Sequence, residues 1–260
     1  MNSNGADGAV VLRKAFALFE RILADRGNTT LAVIARDMAL PSSTVYRLVA
    51  ALERAGLVCR VGRGRYDVGM GVVESLAGIS VHDLLAKVAR PVLNRLARRT
   101  GATVHLGVWQ GDMVTYLVKT AGRAAGTMSI FTREHTQLEA YCTGIGKMLL
   151  AYLPEGAQQA YVAASPFVAL TRRTITDPAE LLRAFRLNRK RGFSIDDGET
   201  ADDLYCIAVP LRYGRQAMAA VSLAFPRASA RSQPLKARLL QLNACVAEIR
   251  RKLGPAHDRE

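Results

Sequence analysis

The chain has no apolar run approaching the roughly 18 residues that a membrane-crossing helix requires. Residues 1–8 are polar where a secretory signal would carry its apolar core. A cytoplasmic protein with no membrane partner is therefore expected. Cysteine is scarce as well: Cys59, Cys142, Cys206 and Cys245 lie far apart and form no C-x-x-C pair. Neither a zinc cage nor a disulfide framework is indicated, so reduced and mostly buried thiols are expected, with no metal and no cofactor. Internal repeats and low-complexity segments are absent too.

What is present is a globular composition. With 260 residues, 50% hydrophobic and 22% charged, the chain can build one large core or two modest ones. The net charge is +14 and the isoelectric point near 10.2, which leans toward a polyanionic partner. Residues 1–75 carry +3, residues 76–99 carry +4 and residues 100–260 carry +7, so charge is densest in the short middle stretch.

The first 70 residues read as helices followed by a hairpin. Val10, Val11, Ala15, Leu18, Phe19 and Ile22 recur at helical spacing over residues 10–26, stopped by Gly27-Asn28. Thr29 or Thr30 can cap a second helix with the apolar face Leu31, Ile34, Ala35 and Met38. Pro41, Ser42 and Ser43 suit the first turn of a third, which buries Val45, Leu48, Val49 and Leu52 and ends at Gly56. Two extended runs, residues 57–60 and 65–68, flank Val61-Gly62-Arg63-Gly64, a sequence able to turn tightly. Helix, helix, turn, helix, hairpin is the order of a winged helix-turn-helix.

Its chemistry points to double-stranded DNA. With the stripe turned inward, the third helix presents Ser42, Ser43, Thr44, Tyr46 and Arg47 to solvent. Hydroxyls can bond phosphates or base edges, and an arginine fork matches guanine O6 and N7. From residue 42 to 66 five arginines (Arg47, Arg54, Arg60, Arg63, Arg65) face one acid, Glu53. Arg63 and Arg65 put two of these charges on the hairpin. One such module buries only about 600–1,000 Å² on DNA, so pairing two modules in a homodimer or homotetramer is expected.

Residues 80–99 form a further helical pattern in which Pro91 predicts a kink or a junction. Beyond it, residues 103–109 and 113–119 are strand-like around the turn Gln110-Gly111-Asp112, and residues 127–131 suggest a third strand. Helical stretches over 145–153, 157–164 and 178–191 follow, the last capped by Asp177 with Pro178 at its first position. Strands over 193–195, 205–211 and 217–225 and a helix over 234–253 complete an α/β domain with an antiparallel sheet.

Three signals resemble enzyme chemistry. Thr143-Gly144-Ile145-Gly146-Lys147 looks like part of a phosphate loop, but the earlier glycine would fall at Tyr141 and the following hydroxyl at Met148. A nucleophilic Cys142 or Cys206 would need a histidine base, and no local motif ties His82, His105, His135 or His257 to a thiol. Asp196, Asp197, Glu199, Asp202 and Asp203 could bind metal or make acid-base pairs, but a solvated acidic loop is the favoured reading. No catalytic residue is assigned.

Taken together, Leu40-Pro41-Ser42-Ser43-Thr44-Val45-Tyr46-Arg47-Leu48 through Gly56-Leu57-Val58, then Gly64-Arg65-Tyr66 and Gly69, resemble the IclR family of bacterial transcriptional regulators. The likeness continues through Thr143 to Ala151, Arg191-Gly192-Phe193-Ser194-Ile195-Asp196-Asp197-Gly198-Glu199, and Cys206-Ile207-Ala208-Val209-Pro210. It covers nearly the whole chain. The resemblance implies a GAF-like domain that binds a small organic effector, often a carboxylic acid or an aromatic catabolite. Pockets of the family are lined by residues matching Thr143, Gly144, Ile145, Asp196, Cys206 and Ser222. Backbone N–H groups at the start of the helix after Thr143 would suit a ligand carboxylate. A second hydroxyl seen in some binders of small acids is Ala224 here, and Met128 and Phe131 are further candidate walls that suit a larger or more apolar ligand.

The expected fold is mixed α/β in two domains. A winged helix-turn-helix occupies residues 9–72, linker helices 73–100, and a GAF-like α+β effector-binding and oligomerisation domain 101–256. The expected function is a DNA-binding transcriptional regulator, repressor or activator, whose operator binding a small effector modulates. The competing reading is a metabolite-binding protein or enzyme with an N-terminal interaction module.

Overall fold

The computed structural model describes residues 3–122, 132–164, 166–214, 216–230 and 232–255. It divides into two compact units, Met1–Ile79 and Ser80–Glu260.

The first unit runs α1 (Ser3–Asp25), α2 (Leu31–Asp37), α3 (Ser42–Arg54), the antiparallel hairpin β1 (Val58–Gly62) and β2 (Arg65–Val68), and α4 (Met70–Leu76). Its core is the apolar stripes brought together: Leu18 and Ile22, Leu31 and Ile34, and Val45, Leu48, Val49 and Leu52 are all buried. α1 starts before the stripe does, because a nucleated helix extends cheaply over residues that need not pack. Thr30 stands at the N-cap of α2 without bonding it through its side chain. Thr29 instead donates its hydroxyl and its N–H to the Asp25 carboxylate, at 2.7 and 2.8 Å. The Leu31 N–H bonds the Gly64 carbonyl at 2.7 Å, tying the hairpin tip to α2.

The hairpin turn is tighter than residues 61–64. Gly62 pairs with Arg65, a bulge falls between Arg60 and Gly62, and Arg63-Gly64 alone make the turn. Gly56 is left-handed at φ +71° just past α3, as its position suggests. A Cβ on Gly69 would stand 2.2 Å from the Gly56 carbonyl oxygen, so β2 can return past α3 only with glycine there.

The second unit is built on a six-stranded antiparallel sheet in the order β5-β4-β3-β8-β7-β6. The strands are β3 (Thr103–Gln110), β4 (Met113–Thr120), β5 (Gln137–Glu139), β6 (Ser194–Asp197), β7 (Leu204–Tyr213) and β8 (Gln216–Pro226). The strand expected at 127–131 lies outside the described residues.

Strand alternation sends side chains to two helical layers. Val104, Leu106, Ile207, Val209, Val221 and Leu223 meet α5 (Val81–Thr100) and α9 (Leu235–Leu253) through Leu85, Leu93, Leu96, Leu242 and Ile249. On the other face, Val114, Tyr116, Ala208 and Ala220 meet α6 (Gly144–Leu150), α7 (Glu155–Ala163) and α8 (Pro178–Arg191) through Met148, Tyr161, Leu181 and Phe185. Asp177 caps α8 as expected, accepting the Glu180 N–H at 2.8 Å.

α5 is one helix rather than two. It runs through Pro91 without a junction, since a proline removes one backbone bond while Ala89, Val92, Leu93, Leu96 and Ala97 around it are held by burial. Those buried residues also make α5 part of the second unit's core.

Candidate functional sites

On α3, burial of Val45, Leu48, Val49 and Leu52 leaves Ser42, Ser43 and Arg47 exposed, Tyr46 half in solvent and Thr44 partly covered. Arg63 and Arg65 are exposed at the hairpin turn. All seven residues expected to meet DNA are thus on the surface of one small unit, with no acidic side chain bonded to any of the three arginines among the described residues.

The second site is a cavity in the second unit, against the sheet face that carries α6. β3 contributes Thr103 and His105, β4 Tyr116, and β8 Ser222 and Ala224. β7 adds Cys206 and β6 adds Asp196, while Thr143 and Gly144 close one side and Thr200 another. Period-two alternation explains the strand residues: Val104, Leu106, Leu223 and Ile207 go to the opposite face.

The glycine-rich run is explained by packing. Thr143 caps α6, its hydroxyl accepting the Gly146 N–H at 3.1 Å and donating to the Glu139 carbonyl at 3.0 Å. A Cβ on Gly144 would come within 3.0 Å of the Cys206 sulfur, and one on Gly146 within 2.2 Å of the Ala140 carbonyl oxygen. Lys147 does not face a phosphate. It is 3% exposed, donates to the Ile195 carbonyl at 2.6 Å and is paired with the Glu199 carboxylate. Ile145, expected as a pocket wall, packs instead toward Gly107 in the core and does not border the cavity. Met128 and Phe131 lie outside the described residues.

The acidic run is not a uniformly solvated loop. Asp196 and Glu199 are buried, whereas Asp202 is largely exposed. Asp196 Oδ1 accepts the N–H groups of Glu199 and Thr200 at 2.7 and 3.3 Å, and Oδ2 accepts the Thr200 hydroxyl at 2.7 Å. Burial pushes the Asp196 carboxyl up from the usual range, and Lys147 and these bonds oppose it. No cluster of three metal-binding side chains occurs among the described residues.

Burial also sets the other groups. It drives the Cys206 and Cys142 thiols to about 12, so both stay protonated at neutral pH and neither is a thiolate nucleophile. It lowers the His105 imidazole to about 3, with the Lys119 charge adding to the effect. The neutral ring lies 2.9 Å from the Thr132 hydroxyl and edge-on to Tyr116, 5.2 Å between centroids. The sequence reading missed Thr103, His105, Tyr116, Thr132 and Thr200 as cavity residues. Thr103 and His105 carried a usable signal, being polar at alternate positions of an otherwise apolar strand.

A helix-turn-helix unit with a bare cationic face, carried in one chain with a sheet domain whose cavity is lined by apolar and polar side chains, defines a transcriptional regulator with an effector domain. The family model for the IclR helix-turn-helix domain matches residues 11–62, and that for the C-terminal part of bacterial IclR transcriptional regulators matches residues 77–251. The chain belongs to the IclR family of transcriptional regulators. It is 30% identical over 235 residues to the HTH-type transcriptional regulator RhmR of Escherichia coli, covering 90% of this chain and 89% of that one. The crystal structure of Thermotoga maritima IclR superposes with a TM-score of 0.61 at 28% identity, covering 94% of this chain and 98% of that one. An IclR homologue from Microbacterium hydrocarbonoxydans, solved in complex with 4-hydroxybenzoate, gives 0.62 at 25% identity over the same shares. The curated relatives are regulators and repressors, which places this chain with them and not with enzymes. No described helix is long and apolar enough to cross a membrane.

His105 yields a pH test. The unfolded chain takes up a proton near pH 6.5 while the native ring resists one down to about 3, so stability due to this residue is full above 6.5 and is lost as pH falls through that window. Relative to His105→Gln, the wild type should lose up to about 1.4 kcal/mol per pH unit below pH 6. Urea unfolding at pH 7, 6 and 5, followed by Trp109 fluorescence, reads the difference; a constant difference contradicts the assignment.

Proposed function

We propose that this regulator binds a double-stranded operator through Ser42, Ser43, Thr44, Tyr46 and Arg47 of α3 with Arg63 and Arg65 of the hairpin, and that a small organic acid in the second unit modulates the binding. The observation that carries the reading is the exposed α3 face: hydroxyls and an arginine fork stand free on a helix whose other side is fully committed to the core. Arg47 is the base reader and the hairpin arginines grip phosphate.

The effector site comprises Thr143, Gly144, Asp196, Cys206 and Ser222, with His105 and Tyr116 as further walls. Hydroxyl groups and an aromatic ring around a buried space suit a carboxylic or aromatic acid, the class to which the 4-hydroxybenzoate of the Microbacterium homologue belongs. The protein acts in the cytoplasm as a homodimer or homotetramer. Leu12 and Phe16 of α1 and Met70 and Val73 of α4 are more than half exposed, apolar surface that a second copy would cover.

Anisotropy titration with the promoter DNA beside its own gene tests the first half. Arg47→Ala should weaken specific binding by about 1–3 kcal/mol and relax preference at one base. An unchanged binding curve, or no salt-sensitive binding by the wild type, refutes the reading. A thermal-shift panel of aromatic and aliphatic acids tests the second half. Ser222→Ala should weaken a genuine hit by roughly the 0.5–1.5 kcal/mol of one hydrogen bond. A response that Ser222→Ala and Cys206→Leu both leave intact places the ligand elsewhere.

A further inference from the structure

A second cavity, of about 160 Å³, lies on the opposite face of the same sheet. Thr100 at the end of α5, Leu223 and Phe225 of β8, and Arg238 and Gln241 of α9 line it. Two polar groups in its wall are incompletely satisfied. Arg238 is 6% exposed, and its guanidinium lies 3.8 Å from the Phe225 ring centroid. It donates to the carbonyls of Ala230 and Ser229, at 2.9 and 2.8 Å, and to the Ser232 hydroxyl at 3.1 Å. All three acceptors are neutral, and no carboxylate is paired with this buried cation among the described residues. A guanidinium carries five N–H donors, so three bonds leave capacity to spare. Gln241 Oε1 is also buried and has no hydrogen-bond partner among the described residues.

Burying a cation without a counter-ion and an amide oxygen without a donor both cost stability, and native proteins rarely keep such groups without a use. Arg238 and Gln241 stand three residues apart on α9, neighbours on one helical face. One small molecule can reach both.

We propose that this cavity is a second ligand site, for a short carboxylate bearing a hydroxyl within a bond or two of the carboxyl carbon. The carboxylate supplies the counter-ion that Arg238 lacks and the hydroxyl donates to Gln241 Oε1. The Leu223 and Phe225 side chains form the apolar floor. The site has Phe225 in common with the effector cavity and is otherwise lined by different residues.

Lactate is the probe, titrated into the full chain by calorimetry. One saturable site per chain is expected. Gln241→Leu, nearly isosteric and relieved of a buried orphan acceptor, should fold at least as stably as the wild type and bind lactate at least tenfold more weakly. Ser222→Val, which alters only the effector cavity, should leave lactate binding unchanged. Circular dichroism confirms that both variants are folded. Absence of saturable binding by the wild type overturns the proposal, as does binding that survives Gln241→Leu or disappears with Ser222→Val. None of these results bears on operator binding through α3.

Discussion

The Lys147–Glu199 ion pair is the constraint around which the second unit is arranged. Lys147 projects from α6, Glu199 from the loop after β6, and the Lys147 ammonium also holds the Ile195 carbonyl of β6. Taking both charges from water is costly, and only close pairing with further bonds offsets it. Much of the local sequence serves that end. Gly144 and Gly146 let α6 settle against β7 and the Ala140 backbone. Ser194 bonds the Gly144 carbonyl at 2.5 Å, and Asp196 gathers the Glu199 and Thr200 N–H groups so that the loop turns back toward Lys147. The cavity opens beside this junction, with Thr143, Gly144, Asp196 and Thr200 shared between the two.

The first unit follows a simpler rule. Three amphipathic helices bury one stripe each, and what remains outside on α3 is available to a polyanion. The proposed regulation requires a link between operator binding and effector binding. A metabolite that alters operator affinity must itself bind differently to the DNA-bound protein, by the same factor. Both family models, for the helix-turn-helix domain and for the C-terminal domain, match this one chain.

Legibility in the sequence tracked the range of the interactions. The stripes of α1 to α3, the Asp177 cap and the hairpin at Gly111-Asp112 depend on residues within a turn or two of one another, and periodicity exposed them. α4 escaped because none of its residues is buried, leaving no stripe to read. Pro91 suggested a junction that long-range packing of α5 overrides. Within the cavity, Thr143, Gly144, Asp196, Cys206 and Ser222 were reached by family resemblance. Nothing in their local spacing shows that β6, β7, β8 and α6 converge. The acids at 196–203 looked alike as letters, yet Asp196 and Glu199 are buried and Asp202 is not, a distinction made by Lys147 some 50 positions away in the chain.

A double-mutant cycle on Lys147→Met and Glu199→Leu, read by urea unfolding through Trp109, tests the central role of the buried pair most directly. Each single substitution strands a charge and should cost about 3–5 kcal/mol, whereas the double variant should recover most of that loss. Two small, additive losses would contradict the account, because the junction of α6, β6 and the loop would then be held by something else.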